Sequence, residues 1–201
     1  MKNIKDIQQA PPTRNGKLAF FMGFLRYPNR VASIVPSSKF VERRLVKAAA
    51  IAKAKLVVEL GPGIGGTTQA VLDSLAPDAK LMVMEVNPDF AEMLRSHPDP
   101  RLIVYHGSAE NIQEALKQNN LNQPDAVISG IPFSTIPTAI GQNIIEAVWN
   151  CLASDGCFVA YQFKGKVALL GKKILGRPSC ELELLNVPPV RMYCWKKSVP
   201  L

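Results

Sequence analysis

Val57-Val58-Glu59-Leu60-Gly61-Pro62-Gly63-Ile64-Gly65-Gly66-Thr67-Thr68 decides how this chain is read. A β-branched apolar run ends in an acidic residue, passes through a glycine-rich turn, and meets two threonines where a helix can start. That order predicts a strand, a tight turn and a helix N-terminus. Glycine tolerates positive φ and carries no Cβ, so Gly61, Gly63 and Gly65 let the backbone turn sharply and approach a ligand closely. Loops of this kind occur in several nucleotide-binding folds. Glu59, two residues ahead of the first glycine, narrows the choice. Its carboxylate repels a dinucleotide pyrophosphate and attracts a ligand that carries positive charge.

Outward from the loop, apolar patterns alternate in type as a layered α/β sheet requires. Strands are expected at 56–60, 81–86, 102–105, 126–129 and 157–162, with helices at 68–75, 88–96, 109–118 and 138–152. Asn87-Pro88 supplies an N-cap and a proline at the first helical position, and Pro98 and Pro100 stop that helix. Two further β-rich runs, 182–187 and 190–195, are joined by Pro188-Pro189. The expected fold class is therefore α/β, a doubly wound, mostly parallel seven-stranded sheet closing in a strand hairpin. Ahead of the first strand, Pro36-Ser37-Ser38 offers a start signal for a helix over 37–52. Residues 1–54 are expected to form an N-terminal helical extension and 55–201 the ligand-binding core, within one compact domain overall.

The chain has 201 residues and a net charge of +8, and the distribution of that charge says more than its sum. Residues 1–55 carry 12 basic and 2 acidic side chains, 56–163 carry 4 and 12, and 164–201 carry 8 and 2. An acidic centre suits a cationic ligand, and basic flanks suit the phosphates of lipid or nucleic acid. The four cysteines form no CxxC pair and only two histidines are present, so neither a disulfide framework nor a zinc site is expected. No apolar stretch reaches the roughly 18–20 residues that span a bilayer. Met1–Arg14 is polar and lacks a signal-peptide core, which leads to the expectation of a cytoplasmic protein.

Three more places can carry chemistry. Glu85 ends the second strand, about 20 residues beyond the glycine loop, where a carboxylate accepts both hydroxyls of a ribose. His106-Gly107-Ser108-Ala109-Glu110 ends the third. After the fourth comes Ser129-Gly130-Ile131-Pro132-Phe133-Ser134-Thr135, in the position where open α/β sheets handle ligands.

The Glu-Leu-Gly-Pro-Gly-x-Gly segment resembles the first motif of class I S-adenosylmethionine (SAM)-dependent methyltransferases, whose sulfonium and amino group suit an acidic site. That resemblance implies a Rossmann-like fold and a cofactor held by Glu59, Gly61, Gly63, Gly65, Glu85, Ser108, Ala109 and Ser129. It also implies that Ser108 stands where related enzymes often hold adenine with an Asp. The loop after the fourth strand resembles the Asn-Pro-Pro-Tyr and Asn-Leu-Pro-Tyr loops of amino-methylating enzymes, where an amide or carbonyl holds the nitrogen and an aromatic ring stacks on the acceptor. Ser129 is read in the Asn place and Phe133 as the ring, so Ser129, Pro132 and Phe133 are the expected catalytic residues. Ser-Gly-Ile-Pro-Phe, together with Ala32-Ser33-Ile34-Val35-Pro36-Ser37-Ser38 and Asn186-Val187-Pro188-Pro189, resembles the bacterial phospholipid N-methyltransferases, which act on phosphatidylethanolamine.

A separate hint of lipid lies in 17–27. There Phe20, Phe21, Phe24 and Tyr27 fall near one helical face, flanked by Arg26 and Arg30. At about 1.5 Å per residue the run is too short to span a bilayer and long enough to lie in its interface, or to act as a pocket lid. The expected partners are a phospholipid substrate and an anionic membrane surface, reached peripherally from the inner face. Tyr161 and His106, near strand ends, are candidates for relaying a proton. Two other readings compete. One is an RNA adenine N6-methyltransferase, which the basic flanks favour and the missing Asn and Tyr disfavour. The other is a SAM- or lipid-binding module without transfer activity.

Overall fold

The structure is a computed structural model and describes residues 38–186 and 188–198. A seven-stranded sheet in the order β3-β2-β1-β4-β5-β7-β6 forms its centre. The strands are β1 (Leu56–Leu60), β2 (Lys80–Glu85), β3 (Leu102–His106), β4 (Ala126–Ser129), β5 (Cys157–Gln162), β6 (Ser179–Glu183) and β7 (Val190–Lys196). The first five pair in parallel, and β7 runs antiparallel to both β5 and β6. This is the expected doubly wound, mostly parallel seven-stranded sheet.

Among the described residues six α-helices accompany it: α1 (Lys39–Ala48), α2 (Gly66–Ser74), α3 (Pro88–Arg95), α4 (Ile112–Gln118), α5 (Thr138–Cys151) and α6 (Lys166–Leu175). Because parallel crossovers are right-handed, the reversal of strand order at β1/β4 sends α2 and α3 to one face and α4 and α5 to the other. On the first face, Leu45, Val71, Leu72 and Leu94 of the helices pack with Val57, Leu81, Val83, Ile128 and Val159 of the strands. The alternate residues Val58, Leu60, Met82, Val127 and Phe158 point the other way and are equally buried. Phe158 stacks on Trp195 at 5.4 Å between ring centres, tying the antiparallel hairpin to the parallel body.

Helix starts follow local chemistry. Ser38 caps α1 by accepting the Val41 amide, and the Asn87 side chain accepts the amides of Asp89 and Phe90 ahead of Pro88. The expected 37–52 helix divides into α1 and a 3₁₀ turn (Ile51–Lys53), because Ala50 takes a left-handed conformation, φ 49°. Leu45, Ala49, Ile51 and Ala54 belong to the main core, so this part of the expected N-terminal segment packs with the sheet. Likewise 109–118 begins as a 3₁₀ turn (Ala109–Asn111) before α4.

Two differences from the expected elements have physical causes. The 182–187 strand lies earlier, at Ser179–Glu183, because the Glu183 carboxylate accepts the Leu185 amide and turns the chain. Helix α6 stands where no element was expected. Its run Lys-Val-Ala-Leu-Leu-Gly-Lys-Lys-Ile-Leu buries Val167, Leu170 and Gly171 and places Lys172 and Lys173 in the last turn, the end that favours positive charge.

Candidate active site

The register places the C-terminal ends of the parallel strands side by side: Leu60 beside Met84 and Ser129, Glu85 beside His106, and Ser129 beside Ala160. The crevice between β1 and β4, where strand order reverses, is where such sheets bind ligands. Gly61 follows one strand and Gly130 the other.

All three loop glycines have positive φ: 69° at Gly61, 58° at Gly63 and 84° at Gly65. A side chain at Gly61 would press on Ile131 at 3.0 Å, and one at Gly63 would meet nothing within 4 Å. Gly63 therefore faces open space, as a backbone that cradles a ligand must. Its amide donates to Glu85 Oε2 at 3.1 Å, while Glu85 Oε1 accepts from the Asn87 amide at 2.9 Å. Burial pushes the Glu85 carboxyl above its ordinary range, and these backbone donors partly offset the push.

Glu59 is wholly buried. One oxygen accepts a 2.6 Å hydrogen bond from the Thr68 hydroxyl; the other, Oε1, has no hydrogen-bond partner among the described residues. An orphaned carboxylate oxygen in a closed interior costs about 1–3 kcal/mol and calls for a donor. Desolvation raises the Glu59 pKa to about 7; the Thr68 bond opposes the rise and the neighbouring Glu85 charge adds to it. Both carboxylates lie on the sheet face that carries α1 and α2, given that 57, 59 and 81, 83, 85 alternate with the other side. A ligand bringing a positive amino group and a ribose to this crevice meets an oxygen that lacks a donor, a second carboxylate and an open glycine backbone. These residues fit SAM.

The remaining expected residues are placed unevenly. Ser108 caps the 3₁₀ turn by accepting the Glu110 amide, and Ala109 is buried behind it. His106 is exposed, with Nε2 3.2 Å from the Val86 carbonyl oxygen. Ser129 is fully buried at the end of β4, on the face opposite Glu59, and its hydroxyl accepts the Ile131 amide at 3.3 Å. Counting back from Pro132-Phe133, the Asn of Asn-Leu-Pro-Tyr corresponds to Gly130, so the alignment of Ser129 with it is corrected by one residue. Phe133 is fully buried, and a Cβ added to Gly141 of α5 would stand 3.3 Å from its ring. A ring in that position supports the loop from beneath and presents no face to solvent. The Pro132 carbonyl accepts from both the amide and the hydroxyl of Thr135, at 2.9 and 2.7 Å. Phe20, Phe21, Phe24, Arg26, Tyr27 and Arg30 lie outside the described residues.

Reading the sequence missed two polar anchors. Thr68 is the sole side-chain partner of Glu59 among the described residues, and Gln162 grips the loop after β4 twice. Gln162 Nε2 donates to the Ile131 carbonyl at 2.8 Å, and its Oε1 accepts the Phe133 amide at 3.3 Å. The available signal was a lone amide ending the apolar run Cys157–Gln162.

Fold and site together define a class I SAM-dependent methyltransferase. A model of the ribosomal RNA adenine dimethylase family matches residues 33–173, and the chain belongs to that family. It is 33% identical over 141 residues to an ornithine lipid N-methyltransferase of Singulisphaera acidiphila, covering 69% of this chain and 73% of that one. To the ribosomal RNA small subunit methyltransferase A of Enterobacter sp. (strain 638) it is 30% identical over 100 residues, 49% of this chain and 36% of the relative. Among solved structures, the 1,6-didemethyltoxoflavin-N1-methyltransferase of Burkholderia thailandensis, bound to S-adenosylhomocysteine, superposes with a TM-score of 0.66 at 12% identity. That superposition covers 96% of this chain and 94% of that one.

Proposed function

We propose that this methyltransferase acts on the amino head group of a membrane lipid, such as phosphatidylethanolamine or an ornithine lipid, at an anionic membrane surface on the cytoplasmic side. The observation that carries the reading is an apolar, basic rim at the site end of the sheet, on its β5–β7–β6 side. In β5 and β7, Gln162 pairs with Arg191, and Glu183 of β6 pairs with Val190, so the β6–β7 connection lies at the site end of the sheet. There Leu184 and Leu185 are 67% and 63% exposed. Leu169, near the start of α6, is 69% exposed, and Lys164 and Arg191 are exposed close by in sequence or register. Apolar tips among cations suit the boundary of an anionic bilayer better than they suit RNA. The match to a lipid methyltransferase over 73% of its length supports the same reading.

The cofactor supplies a methyl on a sulfonium. When bound, it would offer that methyl to a nitrogen lone pair, with sulfur as the leaving group. The acceptor nitrogen must therefore arrive deprotonated. Glu59 and Glu85 would hold the amino and ribose groups, the glycine loop would admit the cofactor closely, and Gln162 fixes the loop 131–133 past which the amine would approach. Positioning of this kind supplies much of the rate of such displacements. Incubation with SAM and vesicles of phosphatidylethanolamine or ornithine lipid, followed by mass spectrometry of the head group, should show added methyl groups. Unmodified lipid alongside methylated RNA adenine would favour the second reading, which the family description and the basic flanks support.

A further inference from the structure

The site end of β4 carries no side chain, since Gly130 occupies it, yet two oxygens from other elements converge there. A Cβ added at Gly130 would stand 2.5 Å from the Tyr161 hydroxyl and 3.0 Å from the Gly61 carbonyl oxygen. The register explains this. Leu60, Ser129 and Ala160 are partners across β1, β4 and β5, so Gly61, Gly130 and Tyr161 come next in one row across the sheet end. Two glycines leave a gap, and the Tyr161 side chain fills it from the neighbouring strand. On its far side the Tyr161 hydroxyl lies 3.2 Å from Thr67 Oγ1, in the first turn of α2 beyond the glycine loop. Tyr161 is partly exposed, although both strand partners beside it in the preceding row are wholly buried.

We infer that the Tyr161 hydroxyl is the group that receives the acceptor nitrogen at the mouth of β4. The inference rests on the reading that the acceptor is an amine. A phenol donates one hydrogen and accepts on its lone pairs. With its hydrogen given to Thr67 Oγ1, the Tyr161 oxygen accepts an N–H of the amine and, beside the Gly61 carbonyl, turns the nitrogen lone pair toward the crevice. Tyr161 thereby reads both loops at once: the glycine loop through Thr67 and Gly61, and the acceptor loop through Gly130. Gln162, the next residue, fixes the backbone of that acceptor loop, so consecutive residues of β5 serve acceptor and loop.

The test is Tyr161→Phe, which keeps the ring in its gap and removes only the oxygen. Binding of S-adenosylhomocysteine by calorimetry should stay within about threefold of wild type, and thermal unfolding should be nearly unchanged. At saturating SAM, kcat should fall by at least thirtyfold while KM for the acceptor moves far less, the pattern of an interaction made mainly in the transition state. The acceptor in the assay is whichever of lipid vesicles or RNA the wild-type protein methylates, so a wrong lipid reading does not decide the Tyr161 question. A kcat within threefold of wild type would overturn the inference. So would a tenfold loss of S-adenosylhomocysteine affinity with kcat retained, which would assign the hydroxyl to the cofactor loop alone. Absence of wild-type transfer to either acceptor would overturn both readings.

Discussion

Glu59 combines a carboxylate with a site that, before the cofactor arrives, disfavours its charge. Its folded pKa, about 7, stands above the ordinary value of 4.5. The native state therefore binds the proton more tightly than the unfolded chain does. The stability this contributes is fully present below about pH 4.5 and is lost as pH rises through about 7. The shift corresponds to about 3 kcal/mol across that window. A cationic amino group reverses the preference, so cofactor binding should expel a proton from Glu59. Calorimetry of S-adenosylhomocysteine binding at pH 6, in buffers of different ionisation enthalpy, should report release approaching one proton, falling toward zero by pH 8.5. Glu59→Gln should abolish that release and weaken binding by at least tenfold. It should also raise the unfolding temperature of the cofactor-free protein at pH 8. Loss of stability in that variant at pH 8 would show that the carboxylate is not strained in the free protein. The identity of Glu59 was legible in the sequence because an acid closing a strand before a glycine turn is chemically conspicuous. Thr68 was not, because a threonine nine residues away declares no partner until the helix brings it round.

At the scale of elements, the parallel strands and the helices between them were legible because burial on both faces makes strands continuously apolar, and caps mark helix starts. The β6 register was not, because Leu182-Glu183-Leu184-Leu185 offers β-like residues that a side-chain-to-backbone bond then turns into a bend. The loop after β4 was legible as a turn at the site end of the sheet, yet its match to Asn-Leu-Pro-Tyr was one residue out of step, and the burial of Phe133 became visible only with Gly141 beneath it. Gln162 should control this loop. Gln162→Ala removes a buried donor and acceptor and should destabilise the protein by about 1–3 kcal/mol in chemical denaturation. Its kcat should fall further than its affinity for S-adenosylhomocysteine, and equal losses in both would indicate general unfolding. The hairpin's attachment can be probed at Gly171. An added Cβ would lie 2.4 Å from the Trp195 ring, so Gly171→Ala should cost about 1–3 kcal/mol even though alanine favours helices. A neutral or stabilising change would mean that α6 and β7 pack less closely than described.

Across the whole molecule, the proposed membrane contact would draw on the apolar rim together with the basic flanks of the sequence. Ser38, through which residues 1–37 join the described body, donates its amide to the Asn186 side chain at 3.2 Å, beside Leu184 and Leu185. Arg44 of α1 pairs with Glu181 and Glu183 of the same hairpin. The start of α1, the hairpin tip and the strand ends thus share one side of the protein. Replacing both leucines in Leu184→Ser/Leu185→Ser removes apolar area on the order of 2 kcal/mol when immersed, which predicts roughly thirtyfold weaker partitioning to vesicles containing anionic lipid. Vesicle flotation measures this, and S-adenosylhomocysteine affinity should be unchanged. Undiminished partitioning would remove the rim from the account. The sequence showed the basic flanks but not this rim, because exposure of Leu184 and Leu185 depends on where the hairpin turns.

Competition in a single reaction separates a lipid acceptor from an RNA acceptor. SAM carrying a labelled methyl is offered simultaneously to mixed vesicles of phosphatidylethanolamine, ornithine lipid and an anionic lipid, and to unmodified ribosomal RNA, and the label is counted in the organic and aqueous fractions. Label should appear in the lipid fraction and be lost in Glu59→Gln. Label confined to RNA would contradict the lipid reading.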